Sequence, residues 1–93
     1  MICHIVLIRL EDEARTSWIL DKARTLLGPI PVVKNLRVGR GLKSDYRHPI
    51  ALVMDFEDEG ALAAYQIHPE HVKFRDEILA PIASDKTALD YEV

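Results

Sequence analysis

Tyr65, His68 and His71 stand at intervals of three in Ala64-Tyr-Gln-Ile-His-Pro-Glu-His71, and His4 lies near the start of the chain. On a continuous helix that spacing lines three side chains along one stripe. An imidazole, with an ordinary pKa of about 6.5, is the side chain best suited to moving a proton near neutral pH. A tyrosine hydroxyl can polarise a carbonyl or help hold an enolate. Together they suit abstraction of a proton from a carbon beside a carbonyl, with His71 as base, Tyr65 as polar partner and His4 as orienter. A positioned base contributes about 10²–10⁴-fold to such a step, and neither metal nor cofactor is required.

The same residues also fit structural roles. His68, just before Pro69, can hydrogen-bond the start of a helical segment. His4 can be a core histidine whose ring N–H meets a backbone carbonyl. Tyr65 can pack its ring and turn its hydroxyl to solvent, and His71 fits pocket and surface equally. His68-x-x-His71 offers two nitrogens from one turn, whereas zinc takes three or four ligands; with no second cluster in sequence, no metal site is expected. Cys3 adjoins His4, but neighbours on a strand face opposite ways, so they do not form a nucleophilic pair. Cys3 and Trp18 are expected in the core. Glu11-Asp-Glu13 and Glu57-Asp-Glu59 precede helical patterns and suit helix N-termini. Arg37 and Arg40 are expected at solvated strand ends.

The elements that must carry these groups are legible from periodicity. Residues 2–8 are apolar on both alternating sets, the mark of a strand covered on both faces. Ala14, Trp18, Ile19, Ala23, Leu26 and Leu27 recur at helical steps over about four turns, with Thr16 or Ser17 as caps for a later start. Gly28-Pro29 ends that helix, with glycine in the C′ position. A second strand runs through Leu36, Val38 and Arg40, where Gly39 and Gly41 suggest a bulge or close backbone approach. Lys43 to Pro49 reads as a loop and Ile50–Phe56 as a third strand. A helix carrying Ala61, Leu62, Ala64 and Tyr65 follows. Pro69 can open a further segment bearing Val72, Phe74, Ile78 and Leu79. Thr87, Leu89, Tyr91 and Val93 alternate in a final strand.

The order β-α-β-β-α-β is the ferredoxin-like, split-βαβ arrangement of an α+β fold, a four-stranded antiparallel sheet with helices on one face. The other face also carries apolar side chains, and a second copy is its simplest cover, giving a homodimer. Residues 1–93 read as a single domain, short enough for dimerisation to supplement the core. With 48% apolar and 29% charged residues the chain is globular in composition. Its net charge of −3, without a Lys/Arg-rich run, argues against nucleic-acid binding. Cys3 as the one cysteine excludes an intrachain disulfide. No basic leader or membrane span is evident, and a cytoplasmic location is expected.

The chain resembles the stress-responsive A/B barrel (Dabb) family along nearly its whole length. The resemblance is carried by Met1-Ile-Cys-His-Ile-Val-Leu-Ile-Arg-Leu10, Leu36-Arg-Val-Gly-Arg40, Ala51-Leu-Val-Met-Asp-Phe-Glu-Asp58, Ala64-Tyr-Gln-Ile-His-Pro-Glu-His71 and Leu89-Asp-Tyr-Glu-Val93. The Tyr-x-x-His-Pro-x-His segment is the most specific piece. The resemblance implies a dimeric α+β barrel in which two sheets pack face to face around a cavity. Most of the family has no assigned reaction. A plant branch that looks similar works as a cofactor-free polyketide cyclase, using a Tyr and a His of this motif. The matching positions are Tyr65 and His71, with His4 near the pocket. The aromatic residues Trp18, Phe56 and Phe74 are scattered along the sequence and trace no pocket wall. The leading expectation is a stress-associated homodimer holding a small apolar or aromatic molecule. The competing one is a cofactor-independent cyclase or lyase.

Overall fold

A computed structural model describes residues 1–93. Strand β1 spans Ile2–Leu10, and a 3₁₀ turn over Glu13–Arg15 leads into α1, Thr16–Leu27. Next come β2 (Lys34–Arg40), β3 (Ile50–Phe56), α2 (Glu59–Gln66) and α3 (Pro69–Lys73). A π-helical segment, Phe74–Leu79, continues α3, and β4 (Ala83–Glu92) closes the chain. The sheet order is β2-β3-β1-β4, every neighbouring pair antiparallel. This is the ferredoxin-like arrangement expected from the element order. No helix is long and apolar enough to cross a membrane.

Register decides which side chains share a face. Ile2, His4, Val6 and Ile8 pair with Phe56, Met54, Leu52 and Ile50 across the β1–β3 ladder. Because side chains alternate, these even-numbered residues face one way, toward the helices. There they meet Ile19, Ala23 and Leu27 of α1, all fully buried. The buried positions of α1, Thr16, Ile19, Leu20, Ala23 and Leu27, follow the 3- and 4-residue steps of a helix face. Each buried Ile or Leu contributes about 1.5–3 kcal/mol.

The odd-numbered set faces away from the helices. Ile5, Leu7 and Val53 there are only half-buried, and Leu89 and Tyr91 of β4 are exposed. Cys3 is buried on this face between Asp55 and Tyr91, its partners in the two ladders, and so lies opposite to His4.

Several local expectations are corrected. Trp18 is not core: it is 37% exposed, off the buried stripe of α1, with the Arg15 guanidinium 4.3 Å from its ring centre. Of the acids before α1, Asp12 caps the 3₁₀ turn, its Oδ1 accepting the Ala14 N–H at 2.9 Å, and α1 itself starts only at Thr16, with no side-chain cap. Gly28 is right-handed, not a left-handed C′ residue; a Cβ there would lie 2.7 Å from the Arg24 carbonyl oxygen. The bulge in β2 falls between Lys34 and Arg37, not at Gly39. Asn35 adopts a φ of 52° there and its amide donates to Asp55 at 3.2 Å; asparagine tolerates this region better than most residues. Arg37 pairs with Asp55 at 3.4 Å, and Arg40 donates to Ser17 Oγ at 2.8 Å. Strand β4 starts at Ala83, earlier than its alternation indicated.

The polar loop between β2 and β3 is fastened down. Arg9 donates to the Tyr46 carbonyl at 2.8 Å, and His48 Nε2 meets Asp85 at 3.0 Å.

Candidate functional site

The site is built on a broken helix. In a continuous helix the Glu70 N–H would bond the Gln66 carbonyl. Pro69 prevents continuity, and His68, in extended conformation, precedes it as the cap of α3. The Glu70 N–H goes instead to His68 Nδ1 at 3.1 Å. That leaves the Gln66 carbonyl free for the His71 ring, whose Nδ1 lies 3.0 Å away. A carbonyl only accepts, so His71 Nδ1 carries the hydrogen and Nε2 is the unprotonated nitrogen of the neutral ring. Nε2 has no protein partner.

His71 therefore has a fixed tautomer, and burial pushes its pKa below the ordinary value; the Gln66 bond opposes this, and the Arg75 charge adds to it. The ring is held as a neutral base near pH 7. His68, by contrast, is occupied in capping and takes no part in the stripe read from the sequence.

Tyr65, at the end of α2, packs against His71 with ring centres 4.2 Å apart and planes tilted by 36°. Its other flank meets Phe56 at 5.0 Å, and the His4 ring edge at 5.9 Å. Tyr65 is 2% exposed, yet its hydroxyl has no protein hydrogen-bond partner and is not among the fully enclosed polar atoms. It opens into the adjoining cavity. Burial raises its pKa well above the usual tyrosine value, so the hydroxyl stays a proton donor.

His4 sits on β1 with its Nδ1 bonded to the Asp90 carboxylate of β4, its direct ladder partner. The sequence expectation had this ring on a backbone carbonyl; the partner is a side chain. Nδ1–H donates to the carboxylate, leaving Nε2 as the free nitrogen.

These three side chains converge on one cavity of about 210 Å³ between the sheet and the helices. Val6, Leu27, Leu52, Phe74 and Leu79 form its apolar wall, and Arg75 and Lys86 add two cations. The cavity thus lies on the helix-covered side of one chain's sheet, not on the face expected to meet a second sheet. The scattered aromatics do gather in part: Phe74 lines the cavity and Phe56 backs Tyr65, while Trp18 stays outside.

Nothing in the sequence alone marks Asp90, the Gln66 carbonyl, Arg75 or Lys86 as part of the site. Asp90 and Lys86 share the alternating set of β4 with Ala88, but only the β1–β4 register places Asp90 opposite His4. His68 and His71 direct their rings to different partners, and no group of three or more metal-ligating side chains gathers anywhere.

The sequence matches the profile described as the stress responsive A/B barrel domain, Dabb, over residues 2–93. The chain belongs to the Dabb family. Among solved structures, a dimeric ferredoxin-like protein of unknown function from Thermobifida fusca is 30% identical, with a TM-score of 0.84 over 99% of this chain and 90% of that one. A Dabb family protein with a ferredoxin-like fold from Mesorhizobium loti, 24% identical, gives a TM-score of 0.89 over 99% and 95% of the two chains. The hydroxynitrile lyase of Passiflora edulis shares the fold at 19% identity, with a TM-score of 0.83 over 99% and 92%. No curated protein matches the chain. Apart from Met1, the Dabb profile covers all the segments that carry the resemblance, including Tyr65 to His71.

Proposed function

We propose that this Dabb protein is a homodimer that binds a small apolar or aromatic molecule in the cavity of each chain. The observation that carries the reading is one wall of apolar side chains facing three converging polar groups, Tyr65, His71 and His4, in a space of about 210 Å³. That volume falls below the roughly 300–1,000 Å³ of drug-sized sites, so the ligand is a short chain or a single ring. The dimer is supported by the half-buried Ile5, Leu7 and Val53 on the helix-free face, and by the dimeric description of the Thermobifida fusca relative. Titrating the protein with 2-cyclohexylethanol in a calorimeter tests the cavity: saturable binding with one site per chain is expected, and no saturable binding contradicts it.

A second reading, a cofactor-independent enzyme of cyclase or lyase type, is favoured by the His71 tautomer. A neutral imidazole with free Nε2, beside a protonated tyrosine hydroxyl, is the pairing that a proton abstraction next to a carbonyl needs. In this reading Nε2 of His71 takes the proton, Tyr65 donates to the developing oxyanion, and His4, held by Asp90, orients the substrate. The Passiflora edulis lyase shares only the fold and adds no detail to the reaction.

A further inference from the structure

We propose that the ligand of this cavity is a carboxylate, with its acid group held by Lys86 and its apolar body in the well between sheet and helices. The inference rests on the cavity reading above and deepens it by naming the ligand class.

The protein as a whole is acidic, with a net charge of −3. Yet the residues lining this cavity include two cations, Arg75 and Lys86, and no aspartate or glutamate. The two cations differ. Arg75 is engaged through Nε and Nη2 in a two-pronged contact with Asp76, at 2.7 Å and 3.1 Å, which offsets its charge. Lys86 makes no ion pair and no side-chain hydrogen bond: all other carboxylate contacts are taken by other cations or histidines. It is the one lining cation left without a partner.

Position gives the charge a role. Lys86 and Asp90 lie on the same face of β4, opposite Ile8 and His4 respectively. Four residues of strand separate them, about 13 Å at 3.3 Å per residue. The row therefore has the His4 imidazole at one end, Ala88 and Val6 in the middle, and the ammonium at the other. A molecule with an apolar body and one terminal acid group matches that sequence of surfaces. A neutral or cationic ligand leaves Lys86 unmatched, and a dianion has only one free cation to meet.

Matched probes test the assignment: cyclohexylacetate and 2-cyclohexylethanol, which share the ring and differ in the charged end. Each is titrated calorimetrically into the full chain at pH 7.5 and low salt. The acid is expected to bind about threefold more tightly than the alcohol, a difference of ~0.7 kcal/mol for an exposed ion pair, and the advantage is expected to shrink as salt is added. Lys86→Met is expected to bring the acid-to-alcohol affinity ratio to about one, and Lys86→Arg to retain the wild-type ratio. Lys86 is exposed and unpaired, so neither change disturbs the core. Equal binding of acid and alcohol by the wild type, or a preference that survives Lys86→Met, overturns the carboxylate assignment while leaving the cavity reading intact. Failure of both probes to bind overturns the cavity reading, and this inference with it.

Discussion

The Asp90 carboxylate accepts the Nδ1–H of His4 from the directly opposing position on the neighbouring strand. One strand register thus fixes both the ring orientation and the tautomer of a nearly buried histidine, and aims the free nitrogen away from its partner. The bond costs little to arrange because the two backbones are already paired.

Asp90→Ala leaves a buried ring nitrogen without a partner. The loss expected is about 1–2 kcal/mol, below the upper end for charged hydrogen bonds because the Asp90 side chain is 40% exposed. Asp90→Asn, which keeps an acceptor but no charge, should recover part of this. Urea unfolding monitored by circular dichroism measures both; an Asp90→Ala chain as stable as the wild type is inconsistent with the pairing.

His71 gives the protein a distinct pH response. Burial lowers its folded-state pKa below the roughly 6.5 of the unfolded chain. The unfolded state then binds more protons as the pH falls, so the stabilising contribution is fully present above about pH 6.5 and is lost as pH drops through the folded pKa. His71→Phe keeps a ring against Tyr65 but removes the titration. Between pH 7 and pH 5 the wild type should lose stability more steeply than His71→Phe. Parallel stability curves for the two proteins would show that the ring is not desolvated.

The helix-free face should hold two chains together. Ile5, Leu7 and Val53 are half-buried in the single chain, and Leu89 is 61% exposed beside them. Sedimentation equilibrium at micromolar concentration should give twice the 10.6 kDa chain mass. Leu7→Asp should move the protein toward monomer, since a carboxylate cannot be buried unpaired in an apolar contact. A wild-type monomer at these concentrations contradicts the dimer.

Much of the fold could be read from the sequence, for reasons visible in particular residues. Ile50–Phe56 is an apolar run broken only by Asp55 and reads as a strand, and its burial alternates residue by residue. Pro69 marked the helix break, and His68 its cap. What failed was local geometry that depends on neighbours in space. Trp18 fits a helical spacing with Ala14 and Ala23, but Thr16, Ile19 and Leu20 set the face that α1 actually buries. Gly39 reads as a bulge from its residue type, whereas the irregularity sits at Asn35, tied by its side chain to Asp55 across the ladder.

The site was legible in part. Tyr65 and His71 could be named because their motif is contiguous, and His4 because of its chemistry. Asp90 and Lys86 could not, since their significance depends on which strand pairs with β1 and in which register. The consequence of the His-Pro step was also hidden. Breaking the helix frees the Gln66 carbonyl, and that carbonyl sets the tautomer of His71.

The most direct test uses the four histidines as internal reporters. Ring-proton NMR signals of His4 and His71, and of Tyr65 between them, should shift on titration with 2-cyclohexylethanol, because all three line the cavity. Those of His48, held at Asp85, and His68, capping α3, should stay in place. Movement confined to His48 or His68, or no movement at His4 and His71 while the ligand binds, would contradict a binding site between sheet and helices.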